Sequence, residues 1–595
     1  MTKTLLATTL AIVSFTSYAQ QAFSELDINN IRARVFATGD LFTPTQTPGF
    51  EAPQSSGLST IYAGNLWVGG ISPDLQLMQA AETYGIDGGD WFNGPLSSDG
   101  NAEVSDETEQ LYDRVWKANS LDVQTHLAYF ELIASGASEQ EIELLFPNGY
   151  NIPEWILQWP AHGSISNGEA FYLAPFFDSD SNGIYDPTVG DYPIFCGDQC
   201  LFFIFNDKGN IHTASQAQPI GLEVHAMIYA FDRPDNAALN NTIFLKYKMI
   251  NRSTQTLANT YAALWTDFDI GNPTDDFITT DVRRSALIAY NGDGNDENFS
   301  GNLGYGDDLP AQALVILGGP FKDADELDNE LPDDVYSTQT NSYGDFGPWN
   351  SDGVIDNERF GLSGTMTYLS GTSAINGDPS TAIDYYYYMR GNLLNGQLLG
   401  IGDPFVEMDY VFPGTSDPLL LGSNGEFTDV WSEESAQNSP GDRKGICSMG
   451  PFTLMPDAVH YIDAAYVFAR ESDDNTEANL RETLDDNIVN TRLFFNDSLI
   501  QCYDDNLPLQ VNSILDQSTI RVFPNPANES FTILSFSGDK VDEVQIFNSL
   551  GMLVHTERIA SIGQRISLQN FSNGIYTLRI YSGKKSYSEK LFIVK

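Results

Sequence analysis

Basic residues are scarce in this chain of 595 residues: 29 Lys and Arg stand against 81 Asp and Glu, and the net charge is −52. A polyanion of this kind repels nucleic acid and anionic membrane surfaces, so we expect no nucleic-acid partner. Acidic loops of this density are suited to binding divalent cations, or they simply keep the protein soluble. Hydrophobic residues make up 42% of the chain and aromatic residues 12%, which is ample for large packed cores and excludes global disorder.

Long hydrophobic runs are also missing. The apolar run over residues 5–15 is too short to span a bilayer, and no later segment is long enough either. Lys3 precedes this run and Ser17-Tyr18-Ala19 follows it, which is typical of a signal peptide over residues 1–19 that is cleaved after Ala19. The alternative is a buried N-terminal helix. We therefore expect export through the periplasm to the cell surface or beyond.

Cysteine and histidine are rare, with four and six residues. In an exported chain the cysteines are disulfide candidates. Cys196 and Cys200, in CGDQC, are four residues apart around a glycine, so we predict a tight local disulfide between them. Cys447 could then pair with Cys502 over a long distance. Because His is scarce, a zinc site at these thiols is disfavoured.

Familiar catalytic motifs are absent from the sequence. There is no Gly-x-Ser-x-Gly elbow, no His-Glu-x-x-His helix and no Gly-rich phosphate loop. Because the chain has 81 acids, a carboxylate pair that would suit a glycosidase is expected by chance. Its presence is therefore weak evidence for a hydrolase. The sequence therefore favours a protein that is not an enzyme. A secreted hydrolase that acts on polysaccharide through a carboxylate pair is the alternative.

Short β-runs separated by turns rich in Asp, Asn and Gly dominate residues 171–505 and predict a mainly β fold, with a large β-sandwich-rich body. In TIFLKYKMI the alternation places Phe244 and Lys246 on one face of a strand and Leu245 and Tyr247 on the other. Residues 20–170 form a mixed α/β part with a helix that begins at SEQEIELLF. A polar helix over about 476–495 closes the body. DYYYYMRG is interpreted as a strand with its rings in the core.

The chain ends in a tail of opposite charge. Residues 520–595 hold nine Lys or Arg and six Asp or Glu, a net charge of +3, so the preceding part carries −55. Residues 506–519 are interpreted as a linker. The strand-like runs of the tail, such as FTILSF and IYTLRIYSG, predict a small immunoglobulin-like antiparallel β-sandwich as a separate domain.

Specific motifs occur in this tail in a fixed order. VFPNPANESF, VQIFNSLGMLV, LQNFSNGIYTLRIYSG and KLFIVK resemble the type A C-terminal sorting domain of the type IX secretion system. The matching residues are Phe523, Pro524, Asn525, Pro526, Gly551, Asn573, Gly574 and Tyr576. The resemblance implies passage through the outer-membrane translocon, removal of the tail by a sortase-like protease, and release or attachment to surface lipopolysaccharide. The body more weakly resembles large uncharacterised cargo proteins of that system, which implies no activity.

Alternating oxygen donors in DSDSNGIYDPTVGDYP suggest a cation site. We predict structural Ca²⁺ in this loop, bound by Asp178, Asp180, Asn182, Asp186 and the carbonyl of Ile184. The loop is EF-hand-like, but Pro187 and Pro193 disfavour flanking helices. An Asx-turn without metal is the alternative.

A second acidic stretch is WTDFDIGNPTDDF. Asp267, Asp269, Asp275 and Asp276 would repel one another unless they were protonated or bound to a cation. Calcium, a solvated turn and a catalytic carboxylate pair are all open for this stretch. The function expected from the sequence is that of a secreted, calcium-stabilised binding or adhesion protein whose ligand is unknown.

Overall fold

The computed structural model describes residues 21–85, 89–330, 344, 347–371, 374–470, 477–499, 520–523, 527, 530–535, 541–548, 552–559, 564–583 and 585–593. It divides into two compact units, Met1–Leu507 and Pro508–Lys595. Strands dominate the regular structure, which confirms the prediction of a mainly β chain.

The described residues of the first unit form strands along most of its length. They are β1 (Phe23–Leu26), β2 (Arg32–Phe36), β3 (Phe50–Glu51), β4 (Ile61–Ile71), β5 (Leu77–Ala80), β6 (Phe92–Asn93), β7 (Trp116–Asn119), β8 (Phe176–Phe177), β9 (Tyr192–Pro193), β10 (Gln199–Asn206), β11 (Leu222–Ala230), β12 (Thr242–Asn251), β13 (Leu257–Phe268), β14 (Asp276–Asp281), β15 (Ala286–Asn291), β16 (Pro310–Gly318), β17 (Gly364–Leu369), β18 (Gly400–Ile401), β19 (Val406–Glu407), β20 (Arg443–Leu454) and β21 (Val459–Arg470).

The helices of this unit are few and mostly short. They are α1 (Asp106–Tyr112), α2 (Ser120–Ala134), α3 (Glu139–Leu145), α4 (Glu154–Leu157), α5 (Ala237–Asn240), α6 (Ala382–Met389) and α7 (Glu477–Phe494). The helix predicted in SEQEIELLF is α3, and the polar helix predicted to close the body is α7. None of the described helices is both long enough and apolar enough to cross a membrane.

Two antiparallel sheets form the sandwich of the first unit. One sheet has the order β14-β15-β16-β21-β12-β11-β10-β6, with β7 also paired to β10, and the other has the order β17-β20-β13-β4-β5. The largest apolar cluster contains inward-facing residues of both sheets, such as Tyr247 and Leu264. Within it, Thr266 of β13 and Tyr466 of β21 share a hydrogen bond of 2.7 Å. The sandwich predicted for the body is therefore confirmed.

The nine-stranded sheet buries its other face as well. Ile243 and Leu245 of β12 lie in the first apolar cluster, whereas Phe244 lies in a second cluster together with Leu484 and Ile488 of α7. This confirms the two faces predicted from the alternation in TIFLKYKMI. Burial on both faces explains why the central strands have few exposed positions.

The strand predicted in DYYYYMRG is wrong, because these residues form the helix α6. Thr381 and Asp384 make a capping box at its start, which satisfies free backbone N–H groups and stabilises the helical turn. Tyr385 and Tyr388 are buried; Tyr385 packs on Trp67 with a centroid distance of 4.9 Å. The rings therefore lie in the core as expected, although on a helix.

The predicted disulfide between Cys196 and Cys200 is wrong, because Cys200 is a free thiol. Cys200 is fully buried in β10, opposite Ala118 of β7 and Tyr229 of β11, so its side chain is enclosed within the sheet packing. Cys447 is also free and buried, which excludes the long-range pairing considered for it. Its suggested partner, Cys502, lies outside the described residues. Burial raises the pKa of both thiols and makes them unreactive.

The described residues of the second unit form seven strands in two antiparallel sheets. They are β22 (Ile520–Phe523), β23 (Ser530–Ser535), β24 (Glu543–Phe547), β25 (Leu553–Arg558), β26 (Arg565–Ser567), β27 (Gly574–Ser582) and β28 (Lys585–Ile593). The sheet orders are β22-β23-β26 and β25-β24-β27-β28, and apolar residues such as Val544 and Leu578 form the core. The small β-sandwich predicted for the tail is confirmed. The predicted linker over residues 506–519 lies outside the described residues.

Candidate functional site

A buried charge cluster lies at the end of β13, on the face of the five-stranded sheet that carries Trp265. Asp267 of β13 is the cross-strand partner of Lys444 of β20, and the Lys444 ammonium contacts Oδ1 of Asp267 and a carboxylate oxygen of Asp442. Tyr84 donates a hydrogen bond of 2.5 Å from its hydroxyl to Oδ2 of Asp267. Both oxygens of Asp267 are therefore held by cluster neighbours. The ligand oxygens of Asp267, Asp269 and Asp442 lie within 4.8 Å of one another.

One ammonium balances three carboxyl groups in this cluster. Burial raises the pKa of Asp267 to about 6, although the adjacent Lys444 lowers it. Burial and then the charge of Asp267 raise the pKa of Asp269 well above its usual value. The charges of Asp267, Asp269 and Asp442 overcome the effect of burial and raise the pKa of Lys444. The surroundings of Asp269 therefore favour its protonated form.

Asp269 opens onto a cleft of about 320 Å³, which we name the Asp269 cleft. Residues 44–49 and 301–303 form part of its lining. The rest comes from Gly57, Ser59, Ile61, Tyr62, Asp269 and Gly271. The Asp269 N–H donates to the carbonyl of Thr60 at 3.1 Å, and the Gly271 N–H donates to that of Ser59 at 2.9 Å. These bonds fix the turn that holds Asp269 at the wall of the cleft.

Gly271 is required in this turn. Its φ is +61°, and a Cβ built there would lie 2.0 Å from a carboxylate oxygen of Asp296. Asp296 accepts backbone hydrogen bonds from Asn272 at 2.8 Å and Tyr305 at 2.7 Å, so it ties two loops together beside the cleft. A larger side chain at Gly271 would displace this carboxylate and with it the cleft wall.

The four acids predicted as one group do not meet at a single point. Among the described residues, the group of acids with ligand atoms within 4.8 Å of one another is Asp267, Asp269 and Asp442. Asp276 accepts from the N–H of Ile270 at 3.0 Å, and Asp275 accepts from the side chain of Asn272 at 2.6 Å. Both therefore bind their own turn.

Burial and neighbouring acids raise the pKa values of the other two acids as well. The pKa of Asp275 rises to about 7, from burial and then the charge of Asp296. Burial and then like charges, among them Asp269, raise that of Asp276 well above its usual value. One oxygen each of Asp269, Asp275 and Asp276 is buried without a hydrogen-bond partner among the described residues. Calcium at this stretch stays a prediction, and at Asp267 the Lys444 ammonium already supplies a positive charge.

The loop of residues 178–186 is closed by its own backbone hydrogen bonds. Asp178 accepts from the N–H of Gly183 at 2.6 Å, and Asn182 accepts from the N–H of Ile184 at 2.6 Å. Asp180 pairs with the amide of Asn182 at 2.9 Å, and Asp186 caps the short 3-10 turn Pro187–Val189. The bonds made by Asn182 and Asp186, each to the N–H two residues on, are the Asx-turns of the alternative interpretation. Calcium binding here also stays a prediction.

Removal of calcium tests both predicted sites. If they bind Ca²⁺ in the extracellular range of about 10⁻⁴–10⁻³ M, calcium at about ten times its dissociation constant stabilises the fold by about 1.4 kcal/mol per site. We expect EDTA to lower the midpoint of a thermal melt by several degrees, and the Asp178→Asn/Asp180→Asn variant to lose part of this shift. Asp235→Asn, at an exposed acid elsewhere, is the control. An identical melt in calcium and EDTA would refute the calcium prediction.

Three important residues of the site were not singled out in the sequence. Lys444 and Tyr84 lie far from Asp267 along the chain and meet it only through the pairing of β13 with its neighbours. Tyr62, which lines the cleft, sits at the start of a strand like many other tyrosines. The one available signal was Lys444 itself, a lysine inside the apolar run RKGICSMG of a chain that is short of bases.

The tail of the chain matches a known protein family. Residues 521–595 match the family described as the secretion system C-terminal sorting domain. Of the predicted motif, Gly574 starts β27 with a φ of +149°, and Tyr576 packs on Phe571 at 5.5 Å. Phe523 ends β22, Asn573 lies in the turn before β27, and residues 524–526 and 551 lie outside the described residues. The chain thus carries a type IX sorting domain and is exported across the outer membrane to the cell surface or the extracellular space.

Relatives with a named activity are matched only in part. The ulvan lyase NLR42 of Nonlabens ulvanivorans is 35% identical over 78 residues, which are 13% of this chain and 14% of that protein. A solved polysaccharide lyase is 8% identical, with 62% of this chain and 34% of that chain covered and a TM-score of 0.17. The dimeric latent PorU of Porphyromonas gingivalis is 12% identical, with 67% and 32% covered and a TM-score of 0.12. These TM-scores carry no argument about the fold, and the chain spans about a third or less of each relative.

These comparisons correct one sequence-based expectation. We expected the protein not to be an enzyme, yet the ulvan lyase among its matches is an enzyme. This match favours the alternative prediction, a secreted hydrolase that acts on polysaccharide, over the main prediction of a binding or adhesion protein.

Proposed function

We propose that the body is a secreted enzyme that cleaves polysaccharide in the Asp269 cleft, with Asp269 as the general acid. The observation that carries the proposal is the geometry of this carboxyl: Asp269 lines an open cleft and lies against Asp267, which Lys444 and Tyr84 hold from behind. One relative, matched over 13% of this chain, is named an ulvan lyase, which supports an activity on polysaccharide.

The chemistry of glycosidic cleavage explains this arrangement. The departing sugar oxygen needs a proton, whether the bond is cleaved by hydrolysis or by elimination. A carboxyl whose pKa is raised by burial and by a second carboxylate can supply that proton near neutral pH. Asp267, 2% exposed and fixed by two partners, positions Asp269 and keeps its pKa high.

Polysaccharide cleavage by the full chain tests this proposal. A panel of soluble neutral and acidic polysaccharides is incubated with the protein, and new reducing ends are measured together with the ultraviolet absorbance of unsaturated products. We expect new reducing ends with at least one polysaccharide in the panel. A full panel without cleavage, with protein shown to be folded, would contradict the proposal.

For the tail we propose recognition by the type IX translocon and removal by a sortase-like cysteine protease, followed by release or attachment to surface lipopolysaccharide. The family match of residues 521–595 and their separation as a compact unit of their own support this. The intact mass of the exported protein distinguishes a removed tail from a retained one.

A further inference from the structure

We infer that the Asp269 cleft takes an uncharged polysaccharide, with the ring of Tyr62 as the platform for a sugar unit and hydrolysis as the reaction. This inference rests on the proposed function and adds the class of substrate to it. Three observations support this inference: the charge of the cleft lining, the position of Tyr62 and the contacts of the neighbouring basic residues.

The lining of the cleft is polar but almost free of charge. Among the described residues that line it, Asp269 is the one ionisable carboxyl, and no Lys or Arg belongs to them. The other polar groups are hydroxyls and amides, for instance those of Thr45, Gln46, Ser59 and Asn302. Such groups exchange hydrogen bonds with sugar hydroxyls, whereas a sugar carboxylate or sulfate gains most from a cation.

The basic residues near the cleft are engaged elsewhere. Arg32 and Arg34 support residues 47–48 from behind, through the carbonyls of Pro48 at 3.1 Å and Thr47 at 3.3 Å. Both arginines are paired with Glu25, at 2.8 and 2.7 Å. Lys444 is 2% exposed and is surrounded by carboxyl groups.

The net charge of the whole chain also disfavours an anionic substrate. A net charge of −52 produces a negative potential that repels a polyanionic chain at low salt. With no cation in the described lining to offset it, the cleft favours a neutral substrate over a polyuronate or a sulfated glycan.

Tyr62 provides an apolar surface in this polar cleft. Its ring is 38% exposed and packs edge-on against Tyr84 at a centroid distance of 5.8 Å. Tyr84 is fixed in turn by its hydrogen bond to Asp267. An aromatic ring held this rigidly can stack on the apolar face of a sugar, and it would place that sugar beside the catalytic carboxyl.

An uncharged substrate decides between the two cleavage chemistries. Elimination removes a proton next to a sugar carboxylate, and a neutral sugar has no such group. In hydrolysis the glycosidic C–O bond breaks, Asp269 gives its proton to the departing oxygen, and water adds to the anomeric carbon. The attacking water releases a proton to the solvent, and the Asp269 carboxylate takes up a proton from the solvent, so the carboxyl is regenerated.

Binding to the full-length Asp269→Asn variant tests the inference without turnover. The uncharged amide preserves the neutral lining. Calorimetric titrations compare neutral glucan and mannan oligosaccharides with polyuronate oligosaccharides of matched length. We expect at least one neutral oligosaccharide to bind at least about tenfold more tightly than the polyuronates at low salt, and the difference to shrink as salt screens the repulsion. Tighter binding of a polyuronate, or no binding of any neutral oligosaccharide, would overturn the inference.

Substitutions at Tyr62 test the platform. In the same background, Tyr62→Ala is expected to weaken binding of the neutral oligosaccharide about tenfold, since stacked rings contribute about 0.5–1.5 kcal/mol beyond their buried area. Tyr62→Phe keeps the ring and should bind like its parent. Phe405→Ala removes a ring that is 58% exposed outside the cleft, and is the matched control. Unchanged binding in Tyr62→Ala would overturn the role of the ring.

The inference and the proposed function fail in different ways. A neutral oligosaccharide that binds but is never cleaved by the wild-type chain would overturn the enzymatic proposal and support the binding specificity. Cleavage of a polyuronate with release of unsaturated products would support the enzyme and overturn the inferred substrate.

Discussion

Asp269→Asn is expected to lower the rate of polysaccharide cleavage by about 10²–10⁴-fold, the usual contribution of a positioned general acid. The loss should appear in kcat, because the amide retains the shape and neutral charge of the protonated carboxyl but cannot give up a proton. Stability should change by less than about 1 kcal/mol, since no ion pair is lost. Initial rates and a thermal melt of the same samples measure both effects.

Asp293→Asn is the matched control for this substitution. It changes an exposed acid of the neighbouring loop that does not line the cleft, so both rate and stability should stay at wild-type values. An Asp269→Asn variant that retains more than about a tenth of the wild-type rate would exclude this residue as the general acid.

Lys444→Met is expected to destabilise the fold by about 3–5 kcal/mol, because it leaves buried carboxylates without their cation. The methionine keeps most of the apolar volume of the lysine stem, so loss of charge dominates the effect. Denaturant unfolding of the full chain measures it. Lys117→Met removes an exposed partner of Asp27 and should cost no more than about 1 kcal/mol.

A second change in the same cluster separates charge from packing. Adding Asp267→Asn to Lys444→Met removes an uncompensated carboxylate and should recover part of the lost stability. A double variant no more stable than Lys444→Met would show that the loss comes from packing instead.

The stability of this cluster should also depend on pH. The pKa of Asp267 is about 6 in the folded chain and near 4 in the unfolded one, so the folded state binds more protons between these values. The contribution of Asp267 to stability is therefore complete below about pH 4 and is lost as the pH rises through about 6. In Lys444→Met, removal of the ammonium raises this pKa further, so the loss should extend to higher pH.

The fold can be predicted from the sequence where a strand is long and its side chains alternate between two faces. In TIFLKYKMI every second residue from Ile243 to Met249 lies in the first apolar cluster, and Phe244 between them lies in the second. This period of two is visible in the sequence alone. DYYYYMRG was misassigned because tyrosine favours strands in general. There, the capping box of Thr381 and Asp384 and the packing of Tyr385 on Trp67 outweigh that preference.

The sequence indicated only part of the candidate site. The stretch WTDFDIGNPTDDF pointed to Asp267 and Asp269, but it also included Asp275 and Asp276, which bind their own turn. The partners that give Asp267 its role are set by strand register: Lys444 arrives from β20 and Tyr84 from the chain after β5. Spacing within one stretch carries no information about such partners.

The most direct test of the account is the protonation state of Asp269 at neutral pH. Infrared difference spectra between the wild type and Asp269→Asn isolate this one group, because the other buried acids cancel. The account predicts that the variant loses the band of a protonated carboxyl. Loss of ionised carboxylate bands, with the protonated band unchanged, would contradict it, since a carboxylate at Asp269 has no proton to give to a departing sugar.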